Sequence, residues 1–382
     1  MDALRAEFPA LQNVTYLNTA TYGLLSRRST EAVFQHLVRR DQHACSDFLE
    51  WFDDMDRLRE KIARLLRAEA EDIAFIPNAA TGYSLLLNGL SWQPGDEILT
   101  LKNEFPNQIY YPALLAERGV RLIEAEPSEM AEHITPRTRL IAVSQASYST
   151  GYRPALEQLD RQNALLYIDA TQCLGALMLD VSTIRPDMVA VNAYKWMLAP
   201  NGAGFAYISP NLRTCLAPQV VGWRSHHDWR NVNSLHQSAP VFSEAAEKYE
   251  GGMLNFPSLY ALNAAVDLLL ELGPEQIEQQ VISLTNMLRA ELRTLPGARI
   301  YSDENAQGAD TPITAVQFEG QDTAALSRRL KTEHAIHTSA RHNRLRISVH
   351  LYNNLADIEK LLTALAFRLR NPETASAYLV SE

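Results

Sequence analysis

Between residues 55 and 210, apolar runs of strand length alternate with longer segments of helical period. Such alternation predicts a mainly parallel sheet, because each parallel strand needs a long crossover, usually a helix, to bring the chain back. The runs are Ile73 to Ile76, Glu97 to Leu101, Arg121 to Ala125, Leu140 to Val143, Leu165 to Ile168, Met188 to Val191 and Gly204 to Ile208. Seven strands of this kind predict a doubly wound α/β sheet with helices on both faces. From 257 to 293 strand signals stop, and two long helices are predicted, broken at Gly273-Pro274, since proline is accommodated at a helix start but not inside one. A strand over Thr314 to Phe318, a helix over Asp322 to Thr332, a strand over Arg344 to Val349 and an amphipathic helix over Leu355 to Leu369 then predict a smaller C-terminal α/β unit. Pro372 to Glu382 shows little periodicity and reads as a tail.

The chain has 382 residues, beyond the roughly 250–300 at which a single core stops growing. The expected division is an N-terminal segment over 1–25 packing near the active site, a large domain over 26–256, a small domain over 257–371 and a tail over 372–382. Hydrophobic residues make up 46% and charged residues 21%, which suits a soluble globular protein. No apolar run reaches the roughly 18 residues needed to cross a bilayer, and the first residues lack a basic start followed by an apolar stretch. A cytoplasmic protein without a membrane role is the expectation. Cys45, Cys173 and Cys215 are widely spaced, with no CxxC pair, so reduced thiols are expected rather than a metal or redox site. His226-His227-Asp228 reads as a loop, because neighbouring side chains rarely both reach one metal. Net charge is −10, and the compact basic stretches, such as Arg341 to Arg346, are too short for a phosphate-backbone footprint. No nucleic-acid partner is expected.

Ligands of open α/β sheets bind beyond the carboxyl ends of the strands, where loops and helix N-termini converge. Leu165 to Ile168 runs into Asp169-Ala170-Thr171-Gln172, and Met188 to Val191 runs into Asn192-Ala193-Tyr194-Lys195. An acid and a lysine therefore face one rim. A lysine among apolar neighbours can lose its proton and attack an aldehyde, and an aspartate can keep a pyridine nitrogen protonated. Lys102 also follows a strand, so position alone does not single out Lys195. The turn Asn78-Ala79-Ala80-Thr81-Gly82 follows a strand and opens an apolar helix, where free N–H groups favour a phosphate. Ala80, Thr81 and Gly82 are its candidate cradle.

Asp169-Ala170-Thr171-Gln172, with Lys195 lying 23 residues beyond Gln172 in Tyr194-Lys195-Trp196 and followed by Pro200-Asn201-Gly202-Ala203-Gly204-Phe205, resembles the class V aminotransferases. These belong to the fold type I enzymes of pyridoxal 5'-phosphate (PLP), with cysteine desulfurases, kynureninases, isopenicillin N epimerases and carbon–sulfur lyases among them. The resemblance extends over the whole chain and implies PLP as cofactor, an amino-acid substrate and a homodimer with active sites near the subunit interface. It implies that Lys195 holds the cofactor as a Schiff base, Asp169 pairs with the ring nitrogen and Gln172 bonds the ring hydroxyl. Asn192 and Tyr194 are further phosphate candidates. Glu104-Phe105-Pro106-Asn107 resembles the segment that lays an aromatic ring over the cofactor, here Phe105. Tyr148 is implied near the ring edge, and Asn18 and Tyr22 at the substrate mouth, with Gly222-Trp223-Arg224 in a loop bordering it. Leu345-Arg346-Ile347-Ser348-Val349-His350-Leu351-Tyr352-Asn353 resembles the strand whose arginine grips the substrate's α-carboxylate, a task suited to the planar guanidinium fork. Glu250 to Asn255 resembles the stretch that reaches a neighbouring subunit's site, which makes Met253 and Asn255 cross-subunit candidates. Two departures stand out: Ala80 occupies a position where a threonine is common, and Met253 one where desulfurases carry threonine.

Cysteine desulfurases of this group need a nucleophilic cysteine on a C-terminal loop, and His337 to Arg344 contains none. Desulfurase activity is therefore not expected. Aminotransfer ranks first, a carbon–sulfur β-elimination second, and epimerisation and kynureninase-like cleavage stay open. In all but the last, Lys195 is the evident base for the α-proton. Asn201 to Phe205 is not a GxGxxG motif and precedes a strand, so the nicotinamide-dinucleotide fingerprint is absent and the sequence argues against dinucleotide binding. A non-catalytic binding module is a remote alternative, since it has no use for lysine, acid and glutamine together.

Overall fold

The computed structural model describes residues 2–231, 233, 239–301 and 310–370; the tail expected at 372–382 lies outside them. Across the large sheet the strands run in the order Ile73–Ile76, Gly204–Ile208, Met188–Asn192, Leu165–Asp169, Thr138–Ser144, Glu97–Leu101 and Arg121–Ala125. Neighbours are parallel except at Gly204–Ile208, which is antiparallel to both of its partners. The apolar runs sit in this sheet because both of its faces are covered: Met188–Asn192 and Gly204–Ile208 are buried from end to end and Thr138–Ser144 at every residue but Arg139, as a sheet covered on both faces requires. Ser144, Asp169 and Asn192 extend three of the strands at their carboxyl ends. Each is polar, so each falls outside the apolar run that announces its strand.

Two helices that the periodicity did not single out, Arg27–His43 and Phe48–Leu66, lie early in the chain. The first starts at Ser26, whose hydroxyl accepts the Ser29 N–H at 3.1 Å, a standard cap. Helices Phe256–Leu272 and Pro274–Leu292 meet at Gly273, which takes φ +81°. Phe256–Leu272 packs on Arg27–His43, and Phe256 meets Trp51 and Phe52 edge-on in the larger core. A four-stranded antiparallel sheet follows, ordered Ser339–Arg341, Arg344–Ser348, Ile313–Phe318 and Ala298–Ile300. With helices Thr323–His334 and Leu355–Arg370 it encloses a separate core around Leu330, Leu345, Ile347 and Leu361. Among the described residues no helix is long and apolar enough to cross a membrane.

The N-terminal segment joins this second sheet to the lysine. Thr15–Tyr16 pairs in parallel with Ile336–His337, and Asn18 bridges to Ser348. Further on, the Gly23 N–H donates to the Tyr194 carbonyl at 2.9 Å. A Cβ on Gly23 would lie 1.9 Å from the Lys195 carbonyl oxygen, so only glycine permits this approach.

Ile73–Ile76 is an edge strand, and Glu250 covers part of its edge. The fully buried carboxylate accepts the Phe75 N–H at 2.7 Å and pairs with Arg59 at 2.5 Å and Arg224 at 2.6 Å. The Arg224 guanidinium also lies against Phe52 and Trp229. Arg224 is therefore committed to this buried cluster and does not border the lysine rim as the resemblance had implied. Glu250→Ala leaves two buried guanidiniums without their anion and is expected to destabilise the fold by about 3–5 kcal/mol. Chemical denaturation measures this; a loss under about 1 kcal/mol would place the pair in the class of surface salt bridges.

Candidate active site

Lys195 and Asp169 stand just beyond and at the carboxyl ends of adjacent strands, 8% and 5% exposed. Burial penalises a charged amine, and it lowers the Lys195 pKa to about 8; Asp169 opposes the shift, while Arg346 and Arg341 reinforce it. Burial likewise raises Asp169 above the ordinary carboxylate range, against the Thr171 donors and the Lys195 charge. The Thr171 N–H bonds Asp169 Oδ1 at 2.9 Å, and Thr171 Oγ1 accepts the Asn192 N–H at 2.9 Å, which ties the two strand ends together. Lys102 has another setting: it is exposed and paired with Glu126 at 2.9 Å.

Aromatic rings frame the amine. Phe105 and Tyr194 each hold their ring centres 5.7 Å from Lys195 Nζ. Tyr148 meets Phe105 edge-on at 5.3 Å, and its hydroxyl is 3.1 Å from His342 Nε2. Tyr22 packs on Tyr194 at 4.8 Å, and its hydroxyl accepts from Asn201 at 2.9 Å. Gln172 is buried, donating Nε2 to the Ala20 carbonyl and accepting the Trp196 indole N–H at Oε1, both at 3.1 Å. One amide hydrogen of Gln172 remains beyond these bonds.

The turn at Asn78 opens helix Ala79–Gly89. Asn78 takes the Thr81 N–H on its side chain at 2.9 Å and the Gly82 N–H on its carbonyl at 3.3 Å. Asn192 Oδ1 takes the Ala79 N–H at 2.8 Å. Ala80 is thus the first-turn residue whose N–H has no partner among the described residues. Gly82 also serves packing, since a Cβ there would meet Ile76 at 2.8 Å and Ala190 at 3.2 Å.

Arg346 is 1% exposed, not a solvated strand residue. Its donors go to Ser339 Oγ at 3.1 Å, the Tyr148 carbonyl at 2.7 Å and Thr21 Oγ1 at 2.5 Å. All three acceptors are neutral. Burial and the nearby Arg341 bring its pKa down to about 9, so an anion arriving here meets a cation in need of one. Thr21 makes the contact, and Asn18 stands one step behind it, accepting the Thr21 hydroxyl at 2.8 Å. Met253 is 60% exposed and Asn255 donates to the Gly202 carbonyl at 3.4 Å. Neither contacts the lysine cluster of its own chain. His226 and His227 stack on each other at 4.5 Å, and no group of three potential metal ligands occurs among the described residues.

Two buried residues here escaped sequence reasoning. Glu104 accepts the Ser144 N–H and hydroxyl, each at 2.7 Å, and the Phe105 N–H at 3.1 Å. Burial pushes its pKa up to about 7, opposed by these donors. Its sole signal was an acid directly before Phe105. His350 is fully buried between Trp196 and Tyr352, with Nε2 2.8 Å from the Trp196 carbonyl. Burial lowers its pKa to about 3, so it is neutral. Its place four residues beyond Arg346 was a signal that attention to the arginine concealed.

A buried amine with depressed proton affinity, an acid on the next strand, a facing aromatic ring, a helix start and an uncompensated arginine fit an aldehyde-bearing pyridine cofactor with an anionic tail. Comparison with known proteins agrees. The chain is 24% identical over 391 residues to a probable cysteine desulfurase of Methanothermobacter thermautotrophicus, covering 94% of this chain and 95% of the relative. It is 26% identical over 378 residues to the isopenicillin N epimerase of Streptomyces clavuligerus, covering 92% and 94%. Among solved structures, a C-DES mutant with glycine covalently linked to its PLP cofactor superposes with a TM-score of 0.86 at 23% identity, over 95% of this chain and 98% of that one. The profile of the class V aminotransferases matches residues 34–361, and the chain belongs to that family of PLP-dependent, fold type I enzymes.

Proposed function

We propose that this chain is an aminotransferase acting at the α-carbon of an amino acid, with Lys195 as the residue that carries PLP. The observation that carries this reading is the meeting of three buried groups: Lys195, Asp169 beside it, and Arg346 with only neutral acceptors. PLP supplies an electron sink that makes bonds at the α-carbon breakable. Asp169 holds a proton at the pyridine nitrogen, and Gln172 offers its remaining amide hydrogen to the ring hydroxyl. Phe105 faces the ring, and Tyr148 supports Phe105 from its edge. The Ala80–Thr81–Gly82 turn, with Asn192 and Tyr194, receives the phosphate, with the Ala80 N–H as its readiest donor. Arg346 binds the substrate carboxylate, positioned by Thr21 and Asn18, while Tyr22 lines the mouth. Lys195 Nζ would be the base that takes up the α-proton and hands it on, rather than back to the α-carbon, as aminotransfer requires.

The same reading includes a homodimer in which Met253 and Asn255 approach the partner's site, and a division into domains at 26–256 and 257–371. Sulfur transfer to a cysteine of this enzyme finds no support in the thiols. Cys173 is buried, which pushes it up to about 12, and the hairpin beside Arg346 carries none.

The purified protein should be yellow and yield a borohydride-reducible adduct that Lys195→Ala abolishes and Lys102→Ala retains. Persistence of the adduct in Lys195→Ala would overturn the assignment.

Because the lysine's pKa in the folded protein is lowered from 10.5 to about 8, its neutral, reactive form prevails above that pH. Capture of PLP by the apoprotein should accelerate as pH rises, half-maximal near about 8. Stopped-flow absorbance measures this, and a midpoint near the ordinary lysine value would contradict the role given to burial.

Incubation with single amino acids should convert bound cofactor to its amine form, with recovery on adding a keto acid. Release of pyruvate and a sulfur product from cysteine or cystine, without a keto acid, would instead assign a carbon–sulfur lyase.

A further inference from the structure

The short basic stretch Arg341 to Arg346 forms a hairpin that places its arginines on one face. In its antiparallel ladder Ser339 lies opposite Arg346, and Arg341 opposite Arg344. Residues directly opposite each other, and residues two apart on one strand, share a face. Ser339 Oγ accepts Arg346 Nε at 3.1 Å, so this is the face that carries the Arg346 guanidinium, and Arg341 lies on it two residues from Ser339. His342 and Asn343, at φ +48° and +57°, form the two-residue turn that fixes the register.

No acid pairs with these arginines among the described residues. Arg341 Nη1 donates only to its own neighbour's carbonyl, Ala340 O, at 2.8 Å. Arg344 lies over the Tyr301 ring at 3.8 Å and turns to a polar cavity of about 360 Å³ lined also by His342, Ser147 and Glu104. Arg341 is the one whose charge reaches both Lys195 and Arg346. In a chain with 45 acidic residues against 35 basic ones, clustered arginines without acidic partners need an anion from outside to offset their repulsion. One α-carboxylate neutralises Arg346 and leaves Arg341 over.

We propose that the substrate is an amino acid with an acidic side chain, and that Arg341 binds its distal carboxylate while Arg346 holds the α-carboxylate. This rests on the assignment of Lys195 and Arg346 above. Arg341 is a specificity determinant, set at a fixed offset from Arg346 by the hairpin, so the distance between the two carboxylates is itself selected.

The test uses the PLP-loaded enzyme with aspartate and glutamate against asparagine and glutamine. The expected kcat/KM favours the better acid over its amide by roughly tenfold or more, and Arg341→Ala lowers that ratio by roughly tenfold or more, mainly through KM. Arg341→Lys should retain part of the preference, since it keeps charge but loses the fork. A ratio between two substrates of one preparation is unaffected by a loss of folded enzyme. Independently of turnover, succinate or glutarate binding to the loaded enzyme, measured by calorimetry, should weaken by roughly tenfold in Arg341→Ala, with acetate binding changing far less. A wild-type ratio near unity, or a ratio and dicarboxylate affinity unchanged in Arg341→Ala, would overturn the proposal. Failure of the enzyme to react with any amino acid would instead overturn the aminotransferase reading.

Discussion

Removing a primary amine from water while leaving a carboxylate within electrostatic reach sets two effects against each other, and at Lys195 desolvation prevails. The lysine therefore becomes a neutral nucleophile from about pH 8 upward, with the charge of Asp169 holding the shift back. Much of the surrounding architecture maintains this balance. Adjacent parallel strands bring the acid and the lysine loop side by side, and Thr171 ties both strand ends by accepting from Asn192 and donating to Asp169. Gly23 lets the N-terminal segment close over the lysine backbone, where any side chain would push it open. The arginines of the small sheet add positive potential that disfavours protonation further.

The same physics makes Arg346 informative. A guanidinium held by a serine, a threonine and a carbonyl has its hydrogen-bond donors satisfied while its charge is uncompensated. Two other buried arginines differ: Arg59 and Arg224 share Glu250. The contrast separates Arg59 and Arg224, which have an acid partner, from Arg346 and Arg341, which bond only neutral acceptors among the described residues.

Apolar runs identified the strands of the large sheet because most of them are buried on both faces, which makes hydrophobicity itself the signal, although the edge strand Arg121–Ala125 is buried only at Ala125. The same criterion cut Ser144, Asp169 and Asn192 from their strand ends, since the polar chemistry there interrupts the run. Helices Arg27–His43 and Phe48–Leu66 went unassigned; the first has few buried positions, Ser29 and His36, and so little apolar stripe. The three-residue strands Ala298–Ile300 and Ser339–Arg341 are too short to show a period. The places of Asp169 and Lys195 after adjacent strands were legible from the apolar runs, whereas Gln172 and Arg346 drew attention through the resemblance to the class V family. What remained illegible was partnership, because the bonds from Arg346 to Thr21 and Tyr148 span 325 and 198 residues.

Alternation along one strand carries the small sheet's influence into the site. Arg346 and Ser348, two apart on Arg344–Ser348, share a direction, and His350 follows just past the end of that strand. Arg346 reaches Thr21 and Tyr148, Ser348 Oγ accepts the Ala20 N–H at 3.0 Å, and His350 meets the Trp196 carbonyl at 2.8 Å. The first contact joins Thr21 to Tyr148 through Arg346, the second reaches the N-terminal segment and the third the residue after Lys195. A slip of one residue in this strand would turn Arg346 and Ser348 away at once. The apolar residues between them, Leu345, Ile347 and Val349, face the small core and prevent that slip. The core of the small sheet thereby helps to fix the N-terminal segment and the backbone beside Lys195.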